Sequence, residues 1–290
     1  MTRRQVFVHG GLFVACCGTT TLVGGTIFAA TLMGILLCHE LGHYIVARRR
    51  GIDVSLPYFI PLPPPTLGTL GAVIRMAKPI DDRAALFDVG AAGPIAGLVV
   101  AIPLLVIGLV LSHVGPPAPD TFQEGNSILY ALLKYAVFGR WLPGGGVDVQ
   151  LHPMAFAAWV GLLVTSINLM PIGQLDGGHV ARAALGDTHE RWSARLHVAL
   201  PFAGLAIAGA MFAVALRAGR DVVGALDYAK DGLIPYVVWT LLLAFMRRSS
   251  GEYHPAVGVA PLDPRRRILA FAMLVVFLLI AMPVPFRQIL

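Results

Sequence analysis

The chain has 290 residues, of which 57% are hydrophobic and only 13% are charged, and its mean hydropathy is +0.74. Soluble domains carry about 25% charged residues, so this composition excludes an ordinary soluble protein and predicts an integral membrane protein. The formal net charge of +6 does not indicate nucleic-acid binding, because the arginines stand in groups that flank apolar runs, as topology signals do.

Seven apolar runs are candidates for membrane crossings. They lie near residues 6–24, 27–47, 86–112, 153–171, 197–216, 233–246 and 268–286. The run at 233–246 is short, and only Gly24 and Gly25 separate the first two runs, so the count is six or seven. With a cytoplasmic N-terminus, seven crossings put the arginine groups on the cytoplasmic side. We therefore predict an all-α polytopic membrane protein, with one integral membrane domain over 1–290 that includes C-terminal spans at 197–286.

The second run contains Cys38-His39-Glu40-Leu41-Gly42-His43, an HExxH pattern on a predicted helix. At 3.6 residues per turn, His39 and His43 lie about 40° apart around the axis and Glu40 about 60° beyond His43, so all three face one side. Two imidazoles at this spacing bind one Zn²⁺, with the carboxylate held over the water that the metal activates. A purely structural role is disfavoured, since a charged group at mid-bilayer costs about 2.5 to 3.5 kcal/mol.

The stretch from Gly51 to Met76 is apolar but rich in proline and glycine, which excludes a spanning helix. We predict a small membrane-associated β region at 51–76. Irregular backbone at membrane depth lines a cavity or is buried in protein, so this stretch is a candidate wall of a site. An interfacial loop on the bilayer is an equally weighted alternative. The loop Val114–Leu151, with an apolar middle at Ile128–Phe138, is too short for an independent domain.

A catalytic zinc site needs a third protein ligand, and Asp176 is the best candidate. It follows an apolar run, and the glycines after it allow close approach of the backbone. His43 lies five residues before Arg48, and Asp176 six before Arg182, which indicates matching shallow depths on the cytoplasmic side. An ordinary Asp-Gly turn is the structural alternative.

Taken together, these motifs resemble those of the site-2 protease family (M50) of intramembrane metalloproteases. His39-Glu40-Leu41-Gly42-His43 matches the first family motif, and the second, NxxPxxxLDG, is matched by Asn168, Pro171, Leu175, Asp176 and Gly177. The motif-bearing core covers about 27–185. Three further passages resemble the branch found in chloroplasts and cyanobacteria: Pro57-Tyr58-Phe59-Ile60-Pro61, Leu67-Gly68-Thr69-Leu70-Gly71-Ala72 and Ala92-Gly93-Pro94. No insert is long enough for the PDZ domain of some members, and no CBS pair is present.

The resemblance implies an intramembrane zinc metalloprotease with one Zn²⁺ per chain. His39, His43 and Asp176 are the expected metal ligands, Glu40 the expected base, and Asn168 the expected partner of the substrate carbonyl or oxyanion. Two imidazoles and a carboxylate also suit iron or cobalt. The expected partners are transmembrane protein substrates and the lipid bilayer, without nucleic acid, and the oligomeric state stays open. A prokaryotic cell membrane, with the site toward the cytoplasm, is the expected location.

Two other functions use the same ligands. A zinc transporter needs a polar path across the bilayer, and the other spans contain few ionisable residues. A proteolytically inactive chaperone is disfavoured by the intact Glu40. We interpret His179 as a polar residue at a helix start rather than a hydrogen-bond partner of a ligand. The other histidines are interpreted as interfacial: His9, His113, His152, His189, His197 and His254.

Overall fold

The computed structural model describes the backbone of residues 3–117 and 122–289, and all of their side chains except those of Arg3 and Phe122. Residues 118–121 of the predicted loop Val114–Leu151 therefore lie outside the described part. That part is mostly helical, in agreement with the predicted class. Its helices are α1 Arg3–Arg49, α2 Arg83–Val110, α3 Ile128–Phe138, α4 Pro153–Asn168, α5 Asp176–Leu185, α6 Thr188–Arg217, α7 Val222–Ser250 and α8 Pro264–Ile280.

The described strands form small two-stranded antiparallel sheets. They pair β1 Tyr58–Pro61 with β2 Thr69–Val73, β3 His113–Gly115 with β5 Asp148–Gln150, and β4 Phe122–Glu124 with β6 Phe286–Gln288. The β1–β2 hairpin lies inside the predicted β region at 51–76. The apolar segment predicted at Ile128–Phe138 forms α3.

Helix α1 reverses direction at Gly25, which has φ 79° and ψ 178° and interrupts the helical backbone. A straight helix of 47 residues would be about 70 Å long. Instead His9 near its start and Arg48 near its end line one cavity of 740 Å³. The first two apolar runs are therefore two arms of one helical hairpin, joined where only glycine fits easily.

We expect Gly25→Ala to destabilise the protein by about 1 to 3 kcal/mol, because the φ and ψ of Gly25 are almost restricted to glycine. No atom would touch the new Cβ, so the cost comes from the backbone alone. Gly34→Ala is the matched control, since Gly34 lies in the same helix with open space around it. Unfolding in detergent, followed by circular dichroism, measures both variants. Equal stability of Gly25→Ala and wild type would contradict a strained reversal at this residue.

Four helices of the described part are long and apolar enough to cross a membrane: α1, α2, α6 and α7. The run predicted at 233–246 belongs to α7, which begins earlier and has 29 residues. Helices α4 and α8 have 16 and 17 residues, or about 24 and 26 Å, slightly less than the hydrocarbon core of about 30 Å. The structure therefore supports a polytopic membrane protein but does not confirm six or seven crossings.

The β1–β2 hairpin packs along the first arm of α1. The Thr19 hydroxyl donates to the Gly68 carbonyl oxygen over 2.6 Å, and His9 Nδ1 donates to the Pro57 carbonyl oxygen over 3.0 Å. Gly68 has φ 84°, and a Cβ there would come within 2.6 Å of Thr20 Cα. The hairpin is thus held beside the helix that carries the HExxH motif.

Candidate metal centre

The HExxH residues lie near the C-terminal end of α1 and face α2. His39, Glu40 and His43 are buried, with relative exposures of 3%, 6% and 6%. A Cβ on Gly93 of α2 would come within 2.0 Å of His43 Nε2, and a Cβ on Gly97 within 3.2 Å of His39 Nδ1. The absence of a side chain at these two positions lets both rings fit between the helices.

Asp176 is the first residue of α5, and it follows a non-helical segment that starts after Asn168, the last residue of α4. The backbone folds tightly here, since a Cβ on Gly177 would come within 1.9 Å of the Leu169 carbonyl oxygen. Glycine after the aspartate is therefore needed for this turn, and the turn delivers the carboxylate to the histidines of α1.

The three predicted ligands meet at one point. Asp176 Oδ2 lies 3.1 Å from His39 Nε2, and Asp176 Oδ1 lies 3.3 Å from His43 Nε2. The two Nε2 atoms are 3.2 Å apart. The structure thus brings together residues that are separated by 137 positions in the chain.

These donors fit a zinc ion. A tetrahedral site with bonds of about 2.0 to 2.2 Å has edges of about 3.3 to 3.6 Å. The separation of the two Nε2 atoms, and that of each from its nearer Asp176 oxygen, are close to this range. His43 Nδ1 donates to the Val89 carbonyl oxygen over 2.7 Å, so neutral His43 presents an unprotonated Nε2. An unprotonated ring nitrogen beside a carboxylate needs a cation or a proton between the two groups. The hydrogen bond from His43 Nδ1 to a backbone carbonyl is typical of histidines that bind a metal through Nε2.

The predicted residues share a cavity of 170 Å³. Its lining comprises His39, Glu40, His43, Ala72, Val73, Ile74, Met76, Val89, Asn168, Leu175, Asp176 and His179. The end of the 51–76 stretch therefore forms a wall of the site, which is one of the two alternatives left open by the sequence. Asn168 lies beside the three ligands, with its Nδ2 3.5 Å from His39 Nε2.

Sequence reasoning missed a histidine cluster beside the site. His179 Nδ1 lies 2.7 Å from His254 Nε2, and the His189 ring stands edge-on to the His254 ring at 5.9 Å. The predicted interfacial placement is wrong for His9, His189 and His254, which are 7%, 0% and 4% exposed. Only the position of His179 three residues after Asp176 pointed toward the cluster, since His254 is 75 residues further along the chain.

Both rings of the pair are neutral near neutral pH. Burial lowers the pKa of His179 to about 3, and the neighbouring His254 ring lowers it too. Burial also lowers the pKa of His254. The pair therefore shares a hydrogen bond between two uncharged imidazoles.

Arg182, from which the shallow depth of Asp176 is predicted, is itself buried. It is only 4% exposed, and its guanidinium donates to the Gly186 carbonyl oxygen and to Asp187. The exposed Asp187 carboxylate shows where the surface lies near this helix end. The evidence that Asp176 lies at the depth of His39 and His43 is therefore its direct contact with them, not its distance from Arg182 along the chain.

Comparison with known proteins gives one family. The model of peptidase family M50 matches residues 27–211. The chain is similar to the probable zinc metalloprotease EGY1, chloroplastic, of Arabidopsis thaliana, with 36% identity over 160 residues, or 53% of this chain and 29% of the relative. It is also similar to EGY2, chloroplastic, of the same plant, with 30% identity over 271 residues, or 90% of this chain and 42% of the relative. The chain spans less than half the length of these relatives. No solved structure matches.

Proposed function

Because this chain belongs to peptidase family M50, we propose that it is a zinc metalloprotease that hydrolyses peptide bonds within or near transmembrane segments of membrane proteins. Family membership confirms the resemblance to the site-2 proteases, and the chloroplastic relatives match the branch named from the sequence. The chain is an integral membrane protein of this family. The observation that carries the proposal is the meeting of His39, His43 and Asp176 beside Glu40 in one cavity.

We assign one zinc ion per chain to His39, His43 and Asp176. Among the described residues they are the one group of three potential ligands whose donor atoms all lie within 4.8 Å of one another. The choice of zinc over iron or cobalt follows the names of the relatives. A zinc ion bound there supplies a Lewis acid that lowers the pKa of water and polarises a carbonyl group.

Glu40 is our assignment for the general base. Its carboxylate is buried in the cavity but is not one of the three converging ligands, so it is free to take a proton from the attacking water. It then passes the proton to the leaving amine. To Asn168 we assign a hydrogen bond to the developing oxyanion, supported by its amide nitrogen 3.5 Å from His39 Nε2.

Strand β2 supports an extended substrate. It pairs only with β1 among the described strands, and its residues Ala72 and Val73 line the catalytic cavity. A free strand edge binds an extended peptide by strand addition. We therefore propose single-span membrane proteins as substrates, with a helix that unwinds locally to reach this edge.

The proposed topology has six or seven crossings, with the site toward the cytoplasm. The count of seven takes the two arms of α1 separately and adds the shorter α4 and α8 to α2, α6 and α7. His43 lies six residues before the end of α1, or about 9 Å, and the arginine run Arg48 to Arg50 lies at that end. We propose one domain over 1–290 with its motif-bearing core at about 27–185. The chloroplastic relatives give no support to the prokaryotic cell membrane, which stays a prediction.

The decisive experiment is cleavage of a panel of single-span membrane proteins in liposomes by the purified protein, with products mapped by mass spectrometry. We expect cleavage in or near the span, complete loss on zinc chelation, and recovery when zinc is restored. Replacing helix-breaking residues of a cleaved substrate with leucine should slow cleavage, because local unwinding becomes costlier. Zinc bound at one per chain without cleavage of any substrate would favour a transporter or an inactive chaperone.

A further inference from the structure

The pair formed by His179 and His254 has a defined proton arrangement. His254 Nδ1 lies 2.9 Å from the Pro255 carbonyl oxygen, which only accepts hydrogen bonds, so this nitrogen carries the proton. In neutral His254, Nε2 is then unprotonated and accepts a hydrogen bond from His179 Nδ1, 2.7 Å away. Since His179 Nδ1 carries a proton, Nε2 of neutral His179 is left as a bare acceptor.

The side chain that carries this acceptor belongs to a residue of the catalytic cavity. His179 lines the cavity together with Glu40 and Asp176. Its Nε2 has no hydrogen-bond partner within the described part of the chain. This atom is also not among the fully buried polar atoms of that part that lack a partner. The lone pair is therefore available to a molecule bound beside the metal ligands.

A peptide bound in extended form has amide groups that such an acceptor can satisfy. When a peptide adds to the edge of β2, alternate N–H groups point away from the strand and need other partners once water is excluded. The other polar side chains of the cavity are already assigned to the metal, to proton transfer and to the oxyanion. His179 is the remaining acceptor on its wall.

We propose that His179 Nε2 accepts a hydrogen bond from a backbone N–H of the substrate, and that His254 is a positioning residue that holds His179 in the required tautomer. This inference rests on the proposed protease function and assigns a specific contact within it. His254, in the loop between α7 and α8, thereby acts on substrate binding through His179, although it is far in sequence from both family motifs. A purely structural tie between α5 and this loop is the alternative.

The test pairs protein variants with substrate variants. His179→Phe keeps a ring but removes the acceptor, and is expected to lower kcat/KM about 10-fold, with zinc content unchanged. Synthetic substrates in which each amide near the scissile bond is replaced in turn by an ester lack one N–H at a time. One ester should lower kcat/KM of the wild type about 10-fold and cause no further loss in His179→Phe, whereas a structural role predicts additive losses.

His254 is tested by its own variants and by a spectroscopic signature. His254→Leu removes the acceptor and should lower kcat/KM, while His254→Gln supplies an amide oxygen and should recover most of it. Nitrogen-15 NMR of labelled histidines should show the Nδ1–H tautomer of His179 in wild type and His254→Gln, with the signal assigned by its loss in His179→Phe. His254→Leu should shift His179 toward the Nε2–H tautomer.

The outcomes separate this inference from the protease function. If the wild type cleaves but the losses in kcat/KM from His179→Phe and from each ester are additive, the contact is overturned and the protease function stands. An Nε2–H tautomer of His179 in the wild type has the same consequence. A zinc-loaded wild type that cleaves no substrate overturns both. Non-additive losses at one amide, with the Nδ1–H tautomer, support the contact.

Discussion

Replacement of Glu40 by glutamine is expected to lower kcat for substrate cleavage by about 100-fold to 10,000-fold while zinc stays at one per chain. Glutamine has nearly the shape of glutamate but cannot take up the proton of the attacking water. Glu40 is 6% exposed and is not among the three converging ligands, so the packing and the metal site should survive the exchange. Single-turnover cleavage in liposomes, with zinc counted by mass spectrometry of the metal, measures both quantities.

Glu252→Gln provides the matched control for this experiment. Glu252 lies on the exposed segment after α7, away from the cavity, so the same chemical change should leave cleavage unchanged. Loss of zinc together with activity in Glu40→Gln would show that Glu40 supports the metal rather than the proton transfer. Undiminished cleavage would remove Glu40 from the mechanism.

The second large effect is expected for Gly93→Ala, which should weaken zinc binding by at least about 100-fold and abolish cleavage. A single methyl group at this position would lie 2.0 Å from His43 Nε2, the nitrogen that would hold the metal. The ring cannot simply rotate away without breaking the bond from its Nδ1 to the Val89 carbonyl oxygen. Either α2 moves away from α1 or His43 ceases to be a ligand.

Two other glycines distinguish a local effect from general destabilisation. Gly108→Ala crowds the same helix at a different place, since its Cβ would lie 2.4 Å from the Ala155 backbone nitrogen. It should lower thermal stability but keep zinc. Gly34→Ala has open space and should change neither property. Zinc titrations of detergent-solubilised protein compare the variants, and full zinc occupancy in Gly93→Ala would refute the close α1–α2 packing.

Much of the site could be predicted because its chemistry is local. The spacing of His39, Glu40 and His43 on a helix places all three on one side, and helical periodicity does not depend on the rest of the fold. The proline and glycine content of 51–76 likewise excludes a helix without reference to any neighbour. The selection of Asp176 as a ligand depends on the HExxH motif, because an Asp-Gly pair is also common in turns.

The histidine predictions failed for a physical reason. His189 and His254 lie near predicted helix ends, where a polar side chain usually meets water. Both are buried because α5, α6 and the loop after α7 pack together, and the rings satisfy each other and nearby polar groups. Such pairings join residues far apart in the chain, and no periodic pattern in a single sequence reveals them.

Composition, helical periodicity and motif spacing were enough to establish a membrane protein with an HExxH site, because these depend on local backbone geometry and on the cost of placing charge in lipid. The tertiary structure alone decided that α1 folds back at Gly25, that Gly93 leaves room for His43, and that His254 reaches the cavity through His179. Each of these depends on the distance between segments that the chain brings together only when its helices pack, and packing is set by the shapes of several elements at once.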